Sequence, residues 1–394
     1  ATLDFAFQGT ARNFASQGGP TDNVAGLYTA DDYYTDADSN AYAQPLFLGN
    51  HDIGRFGLFV NQDNPGADDA ELLARDELAH ALMYFGRGMP VVYYGDEQGF
   101  VGDGGDQDAR QDMFPSQVAT YNDDDNIGTA ESPADDNFDT DHPLYLTLAD
   151  YGALLEAHPA LTRGAQLQRY SEPNAGILAF SRIERTEKVE YVVALNNGES
   201  ADAATFATDS PGVSFTEIYP GGGSAITADS SGTLTVDVPA LGVRIYRADA
   251  GISVPTIAPV VSMNTPAAGD ELLGRVEVGA DLSLSGYTEV TFAVSTDGGA
   301  TYEPIGTDDN APYRVFHDVS ALAPGTPLLY KAIADNMSGA LSSAKVAAVV
   351  GDEEPPTFGG FDYAVIHYNR PAGDYGDHTT GDFNDFWGLH LWGD

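Results

Sequence analysis

The sequence predicts a multidomain chain in which strand–helix units give way to all-β sandwich domains. Two patterns carry that prediction. Up to about residue 163, short apolar runs end in polar residues and are followed by helical stretches. From residue 165 onward, the pattern changes to short alternating strands separated by turn residues. At 394 residues the chain exceeds one ordinary domain and can bury several cores.

The elements follow in order. Leu3 to Phe7 alternates like a strand, and Thr10 to Ala15 reads as helical. Pro45 to Leu48 is a second, buried strand. Asp68-Asp69 suits the cap of a helix whose apolar face runs Leu72, Leu78, Leu82 and Phe85, with the Arg75 stem beside it. Pro90 to Tyr94 is a third strand, followed by a long acidic, glycine-rich loop to about Asp141. Pro143 suits a first helical position, and Leu148, Tyr151, Leu154 and Leu155 continue an apolar stripe. Residues 165–249 read as one sandwich, with strands at Ile177–Arg182, Glu190–Asn196, Phe215–Tyr219, Leu234–Val238 and Gly242–Tyr246. Pro255 and Pro259 mark a linker. Residues 257–350 read as an immunoglobulin- or fibronectin-like sandwich, with a hairpin signal at Asp297-Gly298-Gly299. An acidic, proline-bearing linker, Asp352 to Pro356, precedes a short terminal segment.

The net charge is −43, and Lys188, Lys331 and Lys345 are the only lysines. Such a surface repels nucleic acid and anionic membranes, and no apolar run is long enough to span a bilayer. Self-repulsion this large needs screening. At about 1 M salt the Debye length falls to roughly 3 Å, so the composition suggests a salt-adapted source, although ordinary acidic solubility also suits it. The absence of cysteine excludes disulfides and thiol chemistry. The chain starts without Met or a signal segment and stops within a motif, which suggests an internal piece of a longer protein.

Phe47-Leu48-Gly49-Asn50-His51-Asp52 ends an apolar strand abruptly in three polar side chains. At the C-terminal rim of a parallel α/β barrel, a carboxylate beside an imidazole can grip sugar hydroxyls and stabilise positive charge at an anomeric carbon. The same three residues also suit an N-cap or a buried polar pair at a strand–helix turn.

This segment resembles the Phe-x-x-Asn-His-Asp strand end of the α-amylase family (glycoside hydrolase family 13), with Arg55 close by. Gly88-Met89-Pro90-Val91-Val92-Tyr93-Tyr94-Gly95-Asp96-Glu97 is similar to the family's next strand, and His158 to Gly164 to its exit from the last barrel helix. Gly49 stands where the family often has an acidic residue. The resemblance implies that residues 1–163 are the C-terminal part of a (β/α)8 TIM barrel, about strands six to eight. Residues 165–249 would be the β-sandwich that follows it. Ile366 to Tyr375 and Phe386 to Asp394 resemble pullulanase-associated starch-binding modules (carbohydrate-binding module family 41), so that residues 361–394 would open such a module.

In the family, hydrolysis is retaining and uses an Asp nucleophile and a Glu acid/base. Asp52 maps to the third carboxylate, which binds the distorted sugar, and His51 to a residue that binds its hydroxyls. Asn50, grouped with the substrate-binding residues, better suits holding the turn. The nucleophile and acid/base would precede Ala1, so the chain alone is expected to be inactive. Glu97 would be a rim residue. The acids Asp103, Asp106, Asp108, Asp112 and Asp123 to Asp125 lack calcium-loop spacing and read as a solvated loop, so no metal ligand is assigned. The resemblance leaves calcium to residues of the full-length enzyme. Trp387 and Trp392 would stack on glucan, with His390 as a polar neighbour, although sandwich-core roles also suit them. The implied protein is a secreted, extracellular starch-degrading hydrolase, cleaving α-1,4 and conceivably α-1,6 bonds, whose partners are starch, glycogen or pullulan. The competing expectation is a non-catalytic α-glucan-binding or surface-attachment protein with a decayed barrel.

Overall fold

The computed structural model describes residues 3–103, 107–283 and 286–352. The first helix, α1 (Phe5–Ala11), is continued by a π-helical turn, Arg12–Ser16, and then α2 (Asp22–Thr29). Leu3 to Phe7 is therefore not a strand. Asp4 caps α1, its Oδ1 accepting from the Phe7 amide at 2.8 Å, and its other oxygen pairs with Arg87 at 2.7 Å. Alternation would have buried Leu3, Phe5 and Phe7 together. Only Phe7 is buried, while Leu3 and Phe5 stand 50% and 54% exposed. The cap decides the local conformation.

Two parallel strands, β1 (Pro45–Leu46) and β2 (Met89–Pro90), form the sheet of this region, in place of the three expected. Both are shorter than their apolar runs. Pro45 and Pro90 lack an N–H, so the ladder reduces to a few bonds, including Met89 N–H to Gln44 O and Val91 N–H to Leu46 O, each 2.8 Å. Between the strands lie α3 (Phe56–Asp63) and α4 (Asp69–Phe85). The latter is capped by Asp68, which accepts from the Glu71 amide at 3.0 Å. After β2 the described residues of the long loop form only short turns and α5 (Ala119–Asn122). Helix α6 (Pro143–Ala157) begins with Pro143 at its first turn, and α7 (Ala160–Arg163) closes the segment.

The next eight strands are β3 (Ala165–Tyr170), β4 (Ile177–Ile183), β5 (Val189–Asn196), β6 (Asp202–Ala207), β7 (Ser214–Tyr219), β8 (Ile226–Thr227), β9 (Thr233–Val238) and β10 (Gly242–Gly251). They form a six-stranded sheet, β3-β4-β5-β10-β7-β8, and a β6-β9 pair. Every residue of β4 and β5 is buried, because both faces of these central strands are covered. Phe7, Leu82 and Tyr151 from the helical segment share one apolar cluster with Phe180, Val193 and Ile245 of the sheet. The helices and the sandwich thus have a common core.

The remaining strands are β11 (Val261–Thr265), β12 (Glu271–Leu272), β13 (Arg275–Leu282), β14 (Glu289–Ser295), β15 (Glu303–Asp308), β16 (Arg314–Asp318), β17 (Pro327–Asp335) and β18 (Ser342–Val350). They make a three-stranded sheet, β11-β13-β16, and a five-stranded one, β12-β18-β17-β14-β15. These enclose a separate core around Val278, Phe292, Val315 and Tyr330. This region is tied back by Arg314 to Asp32 at 2.9 Å, by the Tyr42 hydroxyl to Asp309 at 3.0 Å, and by Arg185 to Glu289 and Asp335.

Candidate active site

The C-terminal ends of β1 and β2 lie side by side because the strands are parallel and in register, Leu46 opposite Pro90. Phe47 and Leu48 continue from β1 into the core, and the chain then turns sharply. Asn50 makes that turn. Its backbone exchanges both hydrogen bonds with Gly54 at 3.1 Å, and its side-chain oxygen accepts from the amides of Asp52 at 2.8 Å and Ile53 at 3.0 Å. Gly49 is required beside it, since a Cβ there would come 2.7 Å from the Gly54 carbonyl oxygen. The Asn50 side-chain oxygen is therefore spent on the turn.

That turn pushes His51 and Asp52 into solvent. Their side chains are 60% and 66% exposed, and His51 Nε2 lies 3.3 Å from Asp52 Oδ1. Neither side chain is buried, and the N-cap of the helix that follows is Arg55. Arg110, at the end of a short turn in the long loop, reaches back to the His51 carbonyl at 3.1 Å and lies 3.9 Å from Asp52 Oδ1. Sequence reasoning passed over Arg110 because no strand precedes it.

Beneath this rim sits a buried charged cluster. Arg55, fully buried, donates to Asp96 Oδ1 at 3.1 Å, to Gln111 Oε1 at 3.1 Å and to the Tyr94 carbonyl. Its guanidinium carbon lies 4.4, 4.9 and 5.1 Å from the ring centres of Tyr93, Tyr94 and Phe100. Gly95 (φ +88°) permits this packing, because a Cβ there would meet the Phe100 ring at 2.4 Å. Burial pushes the Asp96 carboxyl up to about 6; Arg55 and His80 oppose that rise, and Asp76 adds to it. His80 on α4 sits 2.9 Å from Asp76 Oδ1. Burial disfavours its charged form, but the Asp76 hydrogen bond and charge outweigh this and raise its pKa. Sequence reasoning did not find the Asp76–His80 pair, although the i,i+4 spacing on a predicted helix was available.

Glu97 Oε2 accepts from the Gly95 amide at 2.8 Å, which fits a rim residue. In the loop, Asp124 accepts from the Asp103 amide at 3.2 Å and burial pushes its carboxyl up to about 6. Among the described residues no group of three His, Asp or Glu side chains is placed to hold a metal ion. Trp387 and Trp392, with the whole segment 361–394, lie outside the described residues.

Residues 1–170 match the family model described as the α-amylase catalytic domain, and residues 170–249 match the α-amylase C-terminal all-β domain. Residues 1–249 belong to the α-amylase family. An α-amylase of Streptomyces lividans is 44% identical over 347 residues, covering 88% of this chain and 37% of that protein. A cyclomaltodextrin glucanotransferase of a Bacillus species is 24% identical, covering 94% of this chain and 50% of that enzyme. The crystal structure of an α-amylase from Geobacillus thermoleovorans superposes with a TM-score of 0.49 at 18% identity, over 63% of this chain and 48% of that one. The chain thus spans half or less of the length of these relatives.

Proposed function

We propose that the chain is part of a secreted, starch-degrading α-amylase-family hydrolase that cleaves α-glucosidic bonds with retention. The observation that carries this reading is the Asn50 turn, which presents His51 and Asp52 together, open to solvent, at the end of a parallel strand. Asp52 would bind the distorted sugar and stabilise the oxocarbenium-like transition state, while His51 donates to a sugar hydroxyl. Arg110 steadies the turn through the His51 carbonyl.

Double displacement needs two further carboxylates about 5–5.5 Å apart, one as nucleophile and one as acid/base. Glu97 is engaged with the Gly95 amide, and Asp96 is buried against Arg55, so neither is offered to substrate. Residues 1–394 alone are therefore proposed to be inactive, with the barrel completed by other sequence. Support comes from the apolar side chains of Leu3, Phe5, Met89 and Val91, which stand exposed around the two-stranded sheet where further strands would cover them. The third region would be an immunoglobulin-like module, and residues 361–394 the opening of a starch-binding module that adds glucan stacking by Trp387 and Trp392. Acidic composition supports a salt-rich habitat.

The test is Asp52→Asn in the full-length enzyme. Turnover of starch should fall by about three orders of magnitude or more, with circular dichroism and melting temperature unchanged. Near-normal turnover removes Asp52 from the site.

A further inference from the structure

Two of the three lysines in this acidic chain occupy one spot. Lys331 on β17 and Lys345 on β18 are direct cross-strand partners on the outer face of the five-stranded sheet. Their ammonium groups lie 5.4 and 5.0 Å from the ring centre of Tyr302. Among the described residues neither ammonium has a carboxylate within ion-pair distance. Their neighbours on this face by register are Ala293, Leu329, Ile333, Ser343 and Ala347. No acid lies among them, in a chain with 60. The nearest acids along these strands, Glu289 and Asp335, are both held by Arg185.

Like charges directly opposite one another destabilise a strand pair, and the Tyr302 ring offsets only part of that. Two positive charges therefore remain with no acid beside them by register, Glu271, Glu289 and Asp335 lying farther along the same face, and charge complementarity selects an anionic group for this spot. The type of anion follows from the range of the forces. A polyanion feels the field of the whole molecule, net −43, and is repelled. A single anionic substituent on an otherwise neutral ligand feels most strongly the groups it touches, here the two lysines. Tyr302 beside them is half-buried and is the aromatic ring against which the C–H surface of a sugar would pack.

We propose that the outer face of this sheet binds an α-glucan carrying phosphate monoesters, Lys331 and Lys345 pairing with one phosphate and Tyr302 lying against an adjoining sugar ring. The glucan part rests on the function proposed above; the phosphate part rests on the lysines. In the resembled hydrolysis the phosphate is not consumed, so this is a site for anchoring substrate.

The experiment measures binding of the full chain to phosphate-rich amylopectin and to the same amylopectin after phosphatase treatment. At about 0.05 M salt the phosphorylated form should bind about tenfold more tightly, and this preference should vanish near 1 M salt. The double variant Lys331→Gln/Lys345→Gln should bind both forms alike with an unchanged circular dichroism spectrum. Tyr302→Leu should weaken binding of the phosphorylated form. Equal binding of the two forms by the native chain overturns the phosphate site while leaving the proposed glucan-acting function intact. No binding of either form overturns the proposed site on this sheet. A preference that survives the double lysine substitution, or tight binding of polyglutamate at this face, overturns the assignment.

Discussion

Replacing Arg55 by Met tests how the rim is supported. The substitution keeps much of the apolar stem and its contact with Tyr93, Tyr94 and Phe100, but removes the charge that faces Asp96. Breaking a buried ion pair by deleting one partner costs about 3–5 kcal/mol, because the other charge stays buried alone. Asp96 already titrates at about 6 with Arg55 present. Without Arg55 only His80 still favours its charged form, so its pKa must rise further. The sign follows from proton binding. A carboxyl raised above its unfolded value stabilises the fold while protonated, and that contribution is lost as pH rises through the folded pKa. At pH 8 the variant therefore bears the full cost of a buried charge. At pH 5 Asp96 carries its proton, and what remains is the loss of donors to Gln111 and the Tyr94 carbonyl, about 1–3 kcal/mol. Urea unfolding followed by circular dichroism at the two pH values should show a loss of about 3–5 kcal/mol at pH 8 and clearly less at pH 5, with unchanged m-values. A loss below about 1 kcal/mol at pH 8, or one independent of pH, would refute the argument that Asp96 is held in place by Arg55.

Other expectations can be measured in parallel. Asn50→Ala removes the acceptor for the Asp52 and Ile53 amides; it should cost about 1 kcal/mol in unfolding and, in the full-length enzyme, lower turnover more than it raises KM. Gly49→Glu restores the acidic residue often found in the family, yet drives a Cβ toward the Gly54 carbonyl, so a loss of about 1–3 kcal/mol in the same assay is expected. Asp32 and Asp96 are both pushed up to about 6 by burial, so each stabilises the fold at low pH and loses that contribution as pH rises through about 6. The melting temperature at fixed ionic strength should accordingly be higher at pH 5 than at pH 7.5.

Much of the local structure was legible because the signals were chemical. Asp68 before an apolar stripe gave α4 its start, Pro143 gave α6 its first turn, near-continuous apolar runs between turn residues gave β4 and β5, and alternation gave β7, β9 and β10. Asn50, His51 and Asp52 were legible because three polar residues after an apolar strand need a reason. The misreading at Leu3 to Phe7 arose because five alternating residues are compatible with either period, and the arbiter, Arg87 pairing with the capping Asp4, lies far away in sequence. The parallel strands were read too long for a related reason. Burial of Phe47 and Leu48 looks the same whether or not a neighbour completes the ladder. Arg110 and the Arg55–Asp96–His80 cluster come together only in three dimensions, from a loop, two helices and a strand end.

The common core of helices and first sandwich changes where the polypeptide can sensibly be divided. The boundary between the two family matches falls at residue 170, the last residue of β3, a strand already hydrogen-bonded into the six-stranded sheet. Cutting there would strip an edge from that sheet and uncover the side of Phe180 and Val193 against which the helices pack. The stretch between Ile252 and Val260, beyond β10 and before β11, is where the chain passes from the first core to the second, although Ile252 packs with Tyr287 of the next region. For this polypeptide, the unit that shares a core is larger than the unit that each family match names.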